Sequence, residues 1–397
     1  MNKAGPATER VMSRMTPAIL RFRSRFLKQL VLKQRAFKQW GAIREDLARY
    51  LLIAALVGAC AAAFAYVAGW LSPGRLSADR IVDALEAHDG KHPGFRRAHA
   101  KGLCFSGTFD SNGQGGELSR ASVFQPGRYP LIGRFSTGGG MPQAPDGRVV
   151  FHAVGLSFSL PHGELWRAAL DDVPIFPVAT PQAFFDFQRA IAPDPATGKP
   201  DAARIAAYLA VHPETRAFNQ WLKDNPVPSS FANGTYYSIN AFRFTDAEGV
   251  QHFVRWSLVP EAAFEALDKS TLSTLDKNYL FGEVIGRIQQ GPQRWHLLLS
   301  VAEPGDTIDN ATVQWPASRR AIDAGTLTID HASLEDDGAC RDITFDPLVL
   351  PAGIGPSDDP LLSARSAAYS SSLTRRSGEP AQPSALAQEH AAGEKQQ

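Results

Sequence analysis

From Leu51 to Leu71 the chain carries no charged residue, and nothing else in it narrows the possible structures so sharply. Wound as an α-helix, such a run reaches about 30 Å, the depth of a bilayer's hydrocarbon core. Tyr50 and Trp70 stand at its ends, where interfacial aromatics sit. Residues 1–49 hold 12 of the 41 basic residues and only 3 of the 40 acidic ones, so a formal net charge of +1 hides a basic head and an acidic remainder. Positive charge beside an apolar span stays on the cytoplasmic side. The expectation is a cytoplasmic head (1–49), a single-pass inner-membrane anchor (50–71) and a periplasmic remainder. A cleavable signal peptide competes, because Ala61 to Ala65 offers small residues to a peptidase, but the basic region is long for one. Within the head, Phe22, Phe26, Leu27 and Trp40 alternate with Arg23, Arg25 and Lys28, which reads as a helix on anionic lipid rather than a nucleic-acid arm.

Beyond the anchor, Ser77 caps a short amphipathic helix that Gly90 stops. His88 and His92 are four apart, but Gly90 interrupts the helix that would align them on a metal. Strand-like runs then recur: Leu103 to Phe109, Tyr129 to Ser136, Val149 to Leu160, Thr235 to Thr245, Gln251 to Val259 and Trp295 to Val301. Turn signals such as Asp110-Ser-Asn-Gly and Ala247-Glu-Gly separate them. That density predicts an α+β fold built on an antiparallel β-barrel, with helices at Pro181 to Ala192, Asp201 to Val211 and Glu261 to Gln290. Glu303 to Pro356 reads as a long irregular connection, which in a compact domain is usually functional. The Ser-, Ala-, Gln- and Glu-rich tail (377–397) reads as disordered. Cys104 and Cys340 could pair only if the fold brings them together, which the sequence leaves open.

Two stretches carry chemistry. Ser357-Asp358-Asp359-Pro360 is a helix start, and the helix it opens puts Arg365 and Tyr369 on one face, with Arg376 close to the same line. A guanidinium beside a phenol favours the phenolate, a hard anionic ligand for ferric iron. The other stretch, Arg96-Arg97-Ala98-His99-Ala100-Lys101-Gly102, sets a lone histidine at the root of a strand, a position that suits a functional side chain.

Arg96-x-x-His99-Ala-Lys-Gly, Arg134-Phe-Ser136-Thr, Thr344-Phe-Asp-Pro and Arg365-x-x-x-Tyr369 resemble, in the same order, the motif series of the haem catalases. Short gaps and truncated ends make the chain more similar to the catalase-related peroxidases. The resemblance runs from about Leu76 to about Arg376. It implies the catalase-like barrel with surrounding helices and a wrapping segment over residues 72–376, and haem b as cofactor. By the same resemblance His99 is the acid/base that moves a proton between the oxygens of peroxide, oriented by Ser136. Tyr369 is the iron ligand, Arg365 holds it as phenolate, and Arg96, Arg134 and Arg376 meet the haem propionates.

One departure bears on mechanism. Where catalases carry a distal Asn two residues before a proline, this chain reads Asp171-Asp172-Val173-Pro174, which nominates Asp172 as a second acid/base. A carboxylate must be protonated before it can donate to peroxide. The expectation is weak catalase activity and a peroxidase that takes electrons from an external donor, such as a membrane cytochrome b or a quinol. A rearrangement of fatty-acid hydroperoxides on the same barrel, and a non-enzymatic haem or lipid carrier, are the competing readings. There is no Walker loop, nucleophile elbow or zinc-spaced Cys/His cluster.

Overall fold

The computed structural model describes residue 33, residues 46–67, 70–71 and 75–388; most of the basic head and the last residues of the tail lie outside these. The chain forms two compact units, residues 1–75 and 76–397. In the first, helix α1 (Asp46–Val67) is long and apolar enough to cross a membrane by length and composition. It starts a few residues ahead of the expected span.

The second unit opens with α2 (Ala78–Asp89). Ser77 Oγ accepts from Arg80 N at its start, and Gly90, at φ 85°, ends it. Four antiparallel strands follow, β1 (Gly102–Ser111), β2 (Gly127–Thr137), β3 (His152–Ser159) and β4 (Leu165–Asp171). Three helices, α3 (Pro181–Ile191), α4 (Ala202–Val211) and α5 (Pro213–Asp224), interrupt the strands; the first and last begin with proline at the first helical turn. The chain then adds β5 (Tyr236–Tyr237), β6 (Phe242–Thr245), β7 (Gln251–Pro260), α6 (Lys269–Thr274), α7 (Tyr279–Gln290), β8 (Gln293–Val301), β9 (Ala321–Ser333), β10 (Ile354–Pro356) and finally α8 (Pro360–Ser377).

Strand order closes on itself through β5, β4, β3, β2, β1, β9, β8 and β7, an eight-stranded antiparallel barrel with β6 and β10 appended outside β7. Closure removes the exposed edges an open sheet would present. Inward side chains fill the interior with aromatics: Phe105 and Phe135 have ring centroids 4.5 Å apart, and Trp166 packs edge-on against Trp256. Strand β3 is buried on both faces, because one faces this core and the other faces the layer outside the wall.

Five features differ from expectation, the first being the run Thr235 to Thr245, which is two short strands, β5 and β6, parted at Ile239. Strand β4 and helix α5 lie in stretches to which the sequence patterns assign no element. Strand β9 runs through the segment read as irregular, its inward residues Ile322, Ala324, Leu327 and Ile329 losing strict alternation at Gly325. The segment 261–290 is two helices behind a loop rather than one helix. The tail expected to be disordered is packed as far as Gln388, with Glu379 on Arg97 and Leu386 in the main core. Cys104 and Cys340 form a disulfide with their Cα atoms 5.4 Å apart.

Candidate active site

Outside the barrel wall, between β2, β3 and β4 on one side and α8 on the other, lies a cavity of about 820 Å³, its remaining sides closed by α2, α3 and α5. The inward face of α8 carries few apolar residues: only Leu361 and Leu362 are buried, and Arg365, Tyr369 and Arg376 line the cavity. A helix that turns such a face to the interior lacks the apolar stripe needed to pack against a core. It needs something else to bury against.

His99 stands where the chain turns into β1, at φ 54°, a left-handed conformation uncommon for residues other than glycine. Arg134 holds it there by donating from Nη1 to His99 O at 2.8 Å. The ring lies 3.4 Å from Ser136 Oγ through Nδ1. Burial, with Arg134, Arg365 and Arg96 all nearby, lowers its pKa to about 3 against a weaker opposing bond from the Thr137 backbone, so the imidazole is neutral.

The other wall is a relay. Asp359, the N-cap of α8, accepts from Asn240 Nδ2 at 2.8 Å. Asn240 Oδ1 accepts from Arg365 Nη1 at 2.6 Å, and Arg365 Nη2 reaches Tyr369 Oη at 3.4 Å and Ala169 O at 3.3 Å. Burial would lower the Arg365 pKa, but Tyr369 and Asp171 raise it overall, so the guanidinium stays charged beside the phenol. Ser366 Oγ donates to Asp346 Oδ2 at 2.6 Å, pinning the helix to the segment that wraps the barrel. Phe345 of that segment lies so close to β3 that a Cβ at Gly155 would sit 2.6 Å from its ring.

At one end of the cavity three arginines converge. Arg96 Nη2 donates to Cys340 O, Arg341 O and Ile343 O at 3.2, 2.9 and 3.1 Å, while its buried Nε has no partner. Arg134 clasps Glu335 through Nε and Nη2 at 2.8 and 3.0 Å, and Arg376 Nη1 donates to Arg341 O at 3.1 Å. Burial pushes the Arg96 pKa well below its usual value, and Arg134 and Arg376 push it further than Glu335 and Asp342 restore it. Arg376 is lowered likewise, by burial and then by Arg134. Buried positive charge in excess of its carboxylates is costly unless an anion joins it. The cluster fits a ligand with carboxylates at its edge.

The structure brings His99, Ser136, Arg96, Arg134, Arg365, Tyr369 and Arg376 to this one cavity. It does not bring Asp172 there. Asp171 ends β4 and Asp172 follows it; Asp172 turns inward, where His152 N donates to its Oδ1 at 2.8 Å, and Asp171 lines the cavity instead. Burial raises both carboxyls, Asp171 to about 6 and Asp172 well above its usual range. Asn240 and Glu335 escaped sequence reading. Ile239 at φ 63° marks the strained turn that presents Asn240, but such a conformation leaves no mark in composition.

An antiparallel barrel with a charged, histidine-bearing cavity on its outer wall offers an enclosed, cationic place for an anionic ligand. The chain belongs to the catalase family: residues 69–384 match the family model described as catalase. It is 37% identical over 298 residues to a catalase-related peroxidase of Synechococcus elongatus, covering 75% of this chain and 88% of the relative. A catalase-related peroxidase of Mycolicibacterium paratuberculosis is 33% identical over 306 residues, covering 77% and 96%. The solved structure of catalase A from Saccharomyces cerevisiae superposes with a TM-score of 0.66 at 18% identity, over 72% of this chain and 62% of its own, a likeness of fold.

Proposed function

We propose that this catalase-family protein is a haem peroxidase that reduces hydrogen peroxide or organic hydroperoxides with electrons from an external donor, as part of a defence against oxidative stress. The observation that carries the reading is the pairing of a neutral His99 with the Arg365–Tyr369 couple across one cavity whose end gathers three arginines around Glu335. Tyr369 Oη would hold the haem iron, with Arg365, steadied by Asn240 and Asp359, favouring its anionic form. Arg96, Arg134 and Arg376 hold the carboxylates of haem b. Bound there, haem supplies the iron at which the peroxide O–O bond is cleaved.

The remaining chemistry belongs to the chain. With Nδ1 against Ser136 Oγ, His99 keeps Nε2 for the peroxide, taking a proton from the near oxygen and returning it to the far one. Asp171 replaces Asp172 as the second acid/base: a carboxyl titrating at about 6 is partly protonated near neutrality and can donate to peroxide. Phe184, Phe187, Phe218 and Leu222 line the helical side of the cavity, which suits an apolar peroxide as well as H2O2.

The membrane enters through α1. An uncleaved anchor with its basic head in the cytoplasm would leave the catalytic unit in the periplasm, an oxidising compartment in which the Cys104–Cys340 bond persists. A membrane cytochrome b or quinol would then be the donor. Equal reduction of full-length and anchor-free protein by isolated membranes would remove that part of the reading.

The decisive experiment is the absorption spectrum of the haem-loaded protein beside Tyr369→Phe and His99→Ala. The expected result is a high-spin ferric band with tyrosinate character that Tyr369→Phe alters, and peroxide turnover reduced 10²–10⁴-fold in His99→Ala with haem retained. A wild type that takes up no haem would overturn the assignment.

A further inference from the structure

The three arginines all take partners from one stretch of chain. Between β9 and Phe345 the backbone forms only turns, yet it supplies Glu335 to Arg134, three carbonyls to Arg96 and one of those carbonyls to Arg376. Carbonyl oxygens orient a guanidinium only as well as their own backbone is fixed, because a loop without a ladder of hydrogen bonds is free to move unless tied down. The covalent tie is the disulfide from Cys340 to Cys104. Cys104 lies in β1 directly opposite Arg134 of β2, so the bond joins the loop to the strand pair that carries one of the arginines. The closure is tight: a Cβ at Gly338 would stand 2.4 Å from Cys104 Sγ.

We propose that the Cys104–Cys340 disulfide is a positioning device for the Arg96, Arg134 and Arg376 anion site, so that retention of haem depends on oxidation of this pair. The inference rests on the haem reading above. Both sulfurs are buried, so the bond closes during folding. Closing it removes two protons and two electrons from the two thiols, taken up by a protein disulfide of an oxidising compartment that leaves as a dithiol. Before that step the loop carbonyls are loosely placed and the arginines repel one another without being aimed at a ligand. The site that grips the cofactor is completed only after the chain reaches an oxidising compartment.

The test is haem transfer from the loaded full-length protein to an excess of a haem-scavenging apoglobin, followed in the Soret band. Wild type, Cys104→Ser/Cys340→Ser, Arg96→Ala and the triple variant are compared. The disulfide variant is expected to release haem at least tenfold faster than wild type, Arg96→Ala to release it faster too, and the triple variant to add little to the faster of them, because the bond acts through the arginine. Equal release from wild type and the disulfide variant overturns the inference, and so do effects that multiply independently. If the serine variant does not fold, as judged by circular dichroism, folded wild type reduced with a phosphine and assayed for free thiols replaces it, with equal release from the oxidised and reduced forms as the overturning result. A wild type that takes up no haem overturns the cofactor reading and this inference with it, whereas retention indifferent to the bond overturns the inference alone.

Discussion

Arg96 and Arg97 are neighbours in sequence and opposites in the structure. Arg97 is closed by carboxylates: Nε meets Glu86 at 2.7 Å, Nη1 meets Glu379 at 2.9 Å, and Arg375 joins the same network through Glu86. These bonds outweigh the desolvation that would lower its pKa, so it is raised. Arg96 turns inward, meets only carbonyls, and is lowered by burial and by two like charges. Both are arginines taken out of water. The difference teaches that a cation matched by carboxylates serves the architecture, while one matched only by carbonyls keeps charge to offer an anion.

The largest test of the contrast is Arg97→Ala. It leaves Glu86 and Glu379 facing each other without their shared cation, and breaking a buried pair from one side costs about 3–5 kcal/mol. Both glutamates have lowered pKa values, Glu86 despite burial and Glu379 chiefly through its bond to Arg97. The stability they contribute is therefore present above about pH 4.3 and lost as pH falls through their folded values. Denaturant melts should show the deficit at pH 7 and see it shrink in acid; a deficit independent of pH would break the comparison.

Next in size is the cavity-facing carboxyl, Asp171. The Asp171 pKa of about 6 lies above its unfolded value, so the stability it contributes is complete below about pH 4 and lost as pH rises through about 6. Asp171→Asn should raise the stability of the haem-free protein by up to about 3 kcal/mol at pH 7.5 and change little at pH 3.5. Equal curves at both pH values would place Asp171 with the compensated groups. Smaller still is Arg96→Ala, expected to weaken haem binding about tenfold, about 1.4 kcal/mol, while the haem-free protein melts no lower than wild type because a repelling charge is gone. Lower stability with unchanged haem affinity would make Arg96 another strut. The smallest effect belongs to Ser136→Ala, a few-fold in peroxide turnover with haem binding intact, since a 3.4 Å contact orients a ring already held by its backbone.

How much of this was legible in the sequence follows the range of the interaction. Residues that act through neighbours on one element were readable: the Asp359 cap, the Arg365–Tyr369 spacing and the strands whose outer face is polar. Strand β4 was hidden because its outward residues include Ala169, which meets Arg365 rather than water. Helix α5 follows α4 across the single residue His212 and opens on Pro213, a residue that suits a first helical turn but equally ends the helix before it. The motif order pointed to these residues, but Asp171 and Asp172 are adjacent where β4 ends, and a shift of one residue exchanges them. The disulfide, 236 residues apart in sequence, and the Asn240 relay exist only once the barrel has closed.

Helix α8 also works as a ruler. It carries the phenol, the guanidinium that supports it and an arginine of the anion site on one rigid rod, at positions 365, 369 and 376, locked at one end by Asp359 and along its length by Asp346. Adding or deleting one residue between Arg365 and Arg376 would turn the following side chains by about 100° and swing one of them out of the cavity. Side chains along this stretch can be exchanged, but its length cannot, so a single-codon insertion here should be more damaging than most substitutions within it.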